Sequence, residues 1–222
     1  MKAELWHGAH NRFLVLHQEV SSLDNHELIT LSSKFNTDGV ILISIKDKIF
    51  MRFFNPDGSL DNCGNGLRVV ASFCMKNNLI TENKGVIHSL GFDFPFCITP
   101  QGSEVVFQHI RYDNGFWDVG GVIHRVICVD SFEDGKELAQ SIRERFDCNV
   151  TLVKKIYGNL FVQTFERGVE DFTASCGTGA IAAALALKKE YIFMPGGLLK
   201  VKLRNGNVRL SGKTTKIKEL IL

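Results

Sequence analysis

What the chain lacks narrows the reading first. Its 222 residues hold 26 Lys or Arg against 24 Asp or Glu, a formal net charge of +2. Charge so nearly balanced leaves no electrostatic footprint for nucleic acid, and no Lys/Arg stripe is interleaved with aromatics, so no nucleic-acid partner is expected. The opening residues, Met1-Lys2-Ala3-Glu4-Leu5-Trp6-His7-Gly8, lack the apolar stretch of a secretory signal. No apolar run approaches the roughly 20 residues needed to span a bilayer. A soluble cytoplasmic protein with no membrane partner is the expectation. The six cysteines, Cys63, Cys74, Cys97, Cys128, Cys148 and Cys176, include no C-x-x-C pair, the usual signal for a zinc site or a dithiol redox couple. In a reducing cytosol they are thiols. Motifs for pyridoxal phosphate or a metal are also missing, so no cofactor and no metal are expected.

What is present is a duplicated pattern in a chain whose 45% apolar content can build proper cores. Ser175-Cys176-Gly177-Thr178-Gly179 leads into the apolar run Ala180 to Leu187. Asn62-Cys63-Gly64-Asn65-Gly66 leads likewise into Leu67, Val69, Val70, Ala71 and Phe73. Each is preceded by a polar turn, Asn55-Pro56-Asp57-Gly58 and Glu166-Arg167-Gly168-Val169-Glu170-Asp171. The four other cysteines sit among apolar neighbours and read as small buried hydrophobes.

The elements repeat as well. In the first half come a strand over Phe13 to Leu16, a helix over Ser21 to Phe35 starting near Ser22 or Asp24, and a strand pair at Gly39 to Ile45 and Ile49 to Phe54. The polar turn and first cysteine helix follow, fading near Asn77-Asn78. Short strands at Val86 to His88 and Val105 to Phe107 lie in a stretch broken by Gly91, Pro95, Pro100 and Gly102. In the second half a strand over Val122 to Val129 precedes a helix over Ser131 to Phe146, with Leu138, Ile142 and Phe146 on one face. Strands at Val150 to Val153 and Leu160 to Phe165 lead to the second cysteine helix. A hairpin of Leu198 to Leu203 and Val208 to Leu210 is closed by Asn205-Gly206. A helix as apolar all round as Ala180 to Leu187 must be wrapped on every side, and a curved sheet does this. The fold class is therefore α/β (α+β), with the halves meeting near Asn114: residues 1–114 and 115–222.

A cysteine just ahead of a helix, with glycines beside it, favours thiolate and exposes N–H groups to an anion. Any one such cysteine is as readily a packed helix-start residue. Two in one chain favour a shared cleft, with one thiol from each copy. A carboxylate held between two sulfurs would allow one thiolate to remove the proton from the adjacent carbon, while the other thiol returns one to the opposite face.

The residues carry a resemblance. Asn55-x-Asp57-Gly58-Ser59 with Cys63-Gly64-Asn65-Gly66-x-Arg68, and Glu166-Arg167-Gly168-Val169-Glu170-Asp171 with Ala174-x-Cys176-Gly177-Thr178-Gly179-Ala180, resemble the two signatures of diaminopimelate epimerases. His7-Gly8-x-x-Asn11-x-Phe13, Asp38-Gly39, Asn149-Val150 and Pro195-Gly196-Gly197 extend the likeness along the chain. It implies two pseudo-symmetric domains, each a curved mixed sheet wrapped around a central helix, with the active site in the cleft between them. A last strand at about 216–222 would complete the N-terminal domain. By the family's pattern Cys63 and Cys176 are the acid/base pair. Gly64, Asn65, Gly177 and Thr178 bind the carboxylate at the reacting end, and Glu166 binds its ammonium. Asn11, Asn55, Asn149 and Arg167 grip the distal end, Arg167 as a charge-assisted fork on a carboxylate. The implied activity is cofactor-independent interconversion of LL- and meso-diaminopimelate in lysine and peptidoglycan precursor synthesis. A homodimer stays open, since family members often dimerise.

Departures from the pattern keep alternatives in play. Gly121-Val122-Ile123-His124 stands where the family has Gly-Asn-Pro-His, Arg12 replaces an aspartate, Phe172 replaces an acid, and the approach to Asp38-Gly39 is shortened. A racemase for another amino acid is the second reading, and a non-catalytic thiol or small-acid-binding protein is the third. Arg167 and Glu166 could be a surface ion pair, Asn11 and Asn55 could cap turns, and His7 and His124 read as structural hydrogen-bonders.

Overall fold

The computed structural model describes residues 2–17 and 23–222. The first half runs β1 (Lys2–Gly8), β2 (Asn11–His17), α1 (Asn25–Phe35), β3 (Val40–Ile45), β4 (Ile49–Phe54), β5 (Leu60–Asp61), α2 (Gly64–Lys76), β6 (Lys84–Ser89), β7 (Phe92–Thr99) and β8 (Gly102–Phe107). The second runs β9 (Ile110–Asp113), β10 (Phe116–Val119), β11 (Val122–Cys128), α3 (Phe132–Phe146), β12 (Asn149–Ile156), β13 (Asn159–Glu166), β14 (Asp171–Phe172), α4 (Gly177–Leu187), β15 (Tyr191–Met194), β16 (Gly197–Arg204), β17 (Asn207–Gly212) and β18 (Thr214–Ile221). This is the mixed α/β architecture expected from the sequence. No helix among the described residues is long and apolar enough to cross a membrane.

The two halves use one pairing scheme. A helix connects two parallel strands, α1 between β2 and β3 and α3 between β11 and β12. An antiparallel strand follows, β4 or β13. The cysteine helix then crosses over to a strand parallel to it, β6 or β15, and two antiparallel strands complete each sheet. The sheets join edge to edge where β8 pairs antiparallel with β17, with Val105 opposite Leu210. At the far side β18 adds to β1, and β9 adds to β10.

Each sheet curls round its cysteine helix. From Gly177 to Ala184 every residue of α4 is buried, as are Gly64 to Ala71 of α2. The two helices share one apolar cluster with strands of both sheets. Smaller clusters under α1 and α3 fill the outer faces. Asp24 caps α1 through a reciprocal pair with Glu27, while Ser21 and Ser22 lie outside the described residues. Asn205 and Gly206 both take positive φ, as a two-residue hairpin turn requires.

Three expectations change. In α3, Leu138 and Phe146 are about half exposed; the buried side is Gly135 and Ala139. The reason is close approach: a Cβ on Gly135 would sit 2.5 Å from Leu152 Cδ1, so the helix lies directly on β12 through its smallest residues. Among the cysteines outside the motifs, Cys74 and Cys148 are buried, but Cys97 is half-buried and Cys128 is exposed. The stretch from Lys84 to Val119 is almost continuous antiparallel sheet, and Pro95 is tolerated inside β7.

Gly196, in the Pro195-Gly196-Gly197 turn, donates its N–H to Ala174 O at 2.7 Å, and a Cβ there would fall 1.9 Å from Ala9 O. Gly196→Ala should therefore force apart the loops that carry Asn11 and Cys176. The expected loss is about 2–3 kcal/mol, read as a fall of roughly 5–10 °C in thermal midpoint by calorimetry. An unchanged midpoint would show that the turn relaxes freely.

Candidate active site

Each motif cysteine is the N-cap of its helix, in nearly the same extended conformation: φ −132° and ψ 111° at Cys63, φ −123° and ψ 116° at Cys176. In each, Sγ accepts the N–H of the residue three positions on, Gly66 at 3.3 Å and Gly179 at 3.4 Å. Sulfur thus fills the role that a Ser or Asp oxygen plays at most helix starts. The two starts touch backbone to backbone. A Cβ on Gly64 would lie 3.3 Å from the Gly177 backbone, and one on Gly177 would lie 2.9 Å from Asn65 N. A side chain at Gly177 would press on the Asn65 backbone and one at Gly64 would be tight, because the helix ends, each with its partial positive charge, abut there.

Between them is a cavity of about 20 Å³, room for roughly one water. Both cysteines, Gly64, Gly177 and Thr178 form one wall, while Asn11, Asn55, Asn149, Glu166 and Arg167 form the rest. Of the eleven residues expected at the site, only Asn65 is not in the lining. Fully buried, it donates from Nδ2 to Ser175 Oγ (2.7 Å) and Ser175 O (3.0 Å) and accepts from Arg68 Nη2 (2.5 Å). Its side chain locks the two cysteine loops together.

The polar lining is held from behind. Asn149 Oδ1 accepts the Arg167 N–H at 2.7 Å, and Asn55 Nδ2 donates to Ser59 Oγ at 3.0 Å. Asn11 Oδ1 accepts from Asn65 Nδ2 at 3.4 Å and lies 3.9 Å from Cys63 Sγ. Thr178 Oγ1 is 3.4 Å from Cys176 Sγ and 2.9 Å from His124 Nε2, whose Nδ1 meets Thr151 Oγ1 at 3.0 Å. Burial pushes His124 down to about 3, so the ring is neutral and acts as a hydrogen-bonding strut.

Electrostatics correct one expectation. Burial, and then the nearby charge of Glu166, raise both thiols well above the ordinary cysteine range; the N–H groups of the helix starts and the Thr178 hydroxyl oppose this only in part. The helix starts do not suffice to ionise either sulfur. Burial also lifts Glu166 to about 7, although the Thr173 hydroxyl donates to it. Arg68, wholly buried behind Cys63, is lowered to about 10 by burial and stays charged at neutral pH.

Residues that the sequence reading missed complete the wall, Phe53, Asp61 and Asn62, together with Val122, which it had singled out as a departure from the family pattern. Asp61, 7% exposed, meets Arg167 Nη2 at 2.6 Å, an ion pair between the halves. The one available signal was its place two residues ahead of Cys63. Val122 stands in the wall where the family pattern has asparagine.

No protein-family model matches the chain. Among curated proteins, the diaminopimelate epimerase of Thermotoga maritima is 31% identical over 199 residues, which cover 82% of this chain and 84% of that protein. The enzyme of the same name from Campylobacter jejuni is 34% identical over 167 residues, covering 69% and 67%. Solved structures agree in fold. A phenazine biosynthesis protein from Bacillus anthracis superposes with a TM-score of 0.74 at 11% identity over 100% of this chain and 99% of that one. A hydroxyproline epimerase from Agrobacterium vitis, solved with bound trans-4-hydroxy-L-proline, gives 0.64 at 12% over 99% and 91%. The structural neighbours share the architecture alone, but identity at the Thermotoga level over more than four fifths of both chains is a closer bond: this isomerase belongs to the diaminopimelate epimerase family.

Proposed function

We propose that the protein interconverts LL- and meso-diaminopimelate without a cofactor, passing the α-proton between Cys63 and Cys176. The observation that carries this is the abutment of two cysteine-capped helix starts over one cavity. The substrate's reacting carboxylate sits against the helix-start N–H groups at Gly64, Asn65, Gly177 and Thr178, and Glu166 takes the adjacent ammonium. The lysine and peptidoglycan role follows from that substrate. We also propose that the chain divides into two units between β8 and β9, ahead of the 114/115 boundary read from the sequence, because β9 pairs with β10. β18 then belongs with the first unit through β1.

The reaction needs one ionised thiol, and the substrate supplies the means. Burial, and after it the negative charge of Glu166, hold both thiols up; a substrate ammonium against Glu166 cancels the second of these while the carboxylate is drawn to the helix ends. The thiolate on one face takes the α-proton and becomes a thiol. The resulting planar carbanion, its charge spread onto the carboxylate, is stabilised by the helix N-termini. The opposite thiol delivers its proton and becomes the thiolate. The cavity is narrow, with about 20 Å³ open to water, and is lined by residues of both halves. Val122 in the wall favours the second reading, a racemase of another amino acid on the same thiols.

Proton NMR in D2O tests both: the α-proton signal of diaminopimelate should disappear with wild-type protein. Cys63→Ala and Cys176→Ala should each slow epimerisation at least about 1000-fold. Near wild-type turnover in either variant would sink the two-thiol mechanism, and exchange only with another amino acid would favour the second reading.

Glu166 also gives a stability prediction. Its folded value of about 7 lies above the ordinary 4.5, so the folded state holds the proton more tightly. That contribution is complete below about 4.5 and is lost as pH rises through 7. Glu166→Gln should therefore melt a few °C higher than wild type at pH 8, with the gap closing towards pH 4.5. A gap independent of pH would contradict the burial argument.

A further inference from the structure

Arg68, in α2, is wholly buried, yet it does not line the cavity. A guanidinium has five N–H donors, and few of them are used here. Nη2 donates to Asn65 Oδ1 at 2.5 Å and Nη1 to Lys213 O at 3.4 Å, while Nε has no acceptor. Among the described residues no carboxylate pairs with it, and the ionisable group whose charge acts on it is Cys63. Two glycines clear the space it fills: a Cβ on Gly8 of β1 would lie 3.3 Å from Nη2, and one on Gly212 of β17 would lie 2.7 Å from Nη1. A buried cation without a fixed counter-ion costs stability, and an apolar side chain of similar size would avoid that cost. Stability therefore does not account for the charge at this position.

We propose that Arg68 is a positioning residue of the reacting centre: it is the counter-charge for a thiolate on Cys63, and it sets the Asn65 amide that joins the two cysteine loops. The inference rests on the two-thiol reading above and adds to it a residue outside the cavity wall. Glu166 of β13 and Asp61 of β5 act on Cys63 with negative charge, and Cys176 is the other thiol of the cleft. Both carboxylates oppose ionisation of the sulfur, and a cation buried behind it offsets them. The same guanidinium fixes which way Asn65 points. With Oδ1 held by Nη2, Asn65 Nδ2 is left to donate to Ser175 Oγ at 2.7 Å, Ser175 O at 3.0 Å and Asn11 Oδ1 at 3.4 Å. A reversed amide would set Nδ2 against the cation and Oδ1 against the Ser175 carbonyl. One side chain thus links charge at the first sulfur to the placing of the second loop.

Alkylation by iodoacetamide at about pH 9, followed at Cys63 and Cys176 by peptide mass spectrometry, reads thiolate without any substrate. Arg68→Met should slow labelling of Cys63 at least about fivefold, and more than that of Cys176. Unfolding would act the other way, because an exposed thiol returns to its ordinary range and labels faster. Arg68→Lys retains a cation and should label Cys63 within about twofold of wild type; this arm decides the point if Arg68→Met does not fold. An unchanged Cys63 rate in Arg68→Met, or an equal fall in Arg68→Lys, would overturn the counter-charge. In α-proton exchange with diaminopimelate, Arg68→Met should lower kcat at least about tenfold and leave KM within about threefold. A raised KM at unchanged kcat would overturn the positioning role. Absence of exchange in wild-type protein would instead sink the epimerase reading, while the labelling still tests Arg68.

Discussion

The structure depends on two helices meeting end to end at Gly64 and Gly177. Like ends of two helix dipoles repel, and a buried guanidinium, Arg68, adds to the positive potential behind them. What holds them there is sheet and side chain. The β8–β17 seam fixes the two curved sheets edge to edge, and Asn65 bonds Ser175 directly across the junction. The glycines, the sulfur caps and the acidic Glu166 and Asp61 all follow from this junction. Any bulkier residue would separate the helices, and with no negative charge nearby the junction would be poorly balanced. An anionic ligand between the helix starts would offset the repulsion, tying stability and recognition to the same few atoms.

Within that symmetry the two sulfurs are not in the same surroundings, although their motifs make them look alike. Five residues after Cys63 comes Arg68; five after Cys176 comes Ile181, fully buried in the apolar cluster. Cys176 has instead the Thr178 hydroxyl, braced by neutral His124 and Thr151. A cation behind one sulfur and a hydroxyl relay beside the other differentiate the pair, and Arg68 favours negative charge on the Cys63 side.

The sequence showed the centre of the molecule better than its rim. Cys-Gly-x-Gly before an apolar helix states a local constraint in full, because capping and close approach are both written within five residues. The all-apolar run from Ala180 required enclosure, and α4 is enclosed. The rim was harder to read because its strands are half solvated. Ile110–Asp113 and Thr214–Ile221 have few apolar side chains and take their place from partners, and Lys2 pairs with Ile221 across nearly the whole chain. The α3 face was misread because leucine and phenylalanine draw the eye, whereas contact with β12 is made through Gly135 and Ala139. Ionisation was misjudged for a related reason: the helix starts are visible in sequence, but the depth of burial and the charge of Glu166 above the sulfurs exist only in the fold. Asp61 escaped notice because its partner, Arg167, is 106 positions away.

The repeated order of strands and helices has a geometric consequence for chirality. The rotation that carries α2 onto α4 also turns over any flat group lying across its axis. A trigonal carbon held there would have one sulfur on each side, one backed by the buried Arg68 and the other by the Thr178 hydroxyl. Were such a carbon to exchange its proton there, its two mirror forms would be reached from opposite sides of one shared site.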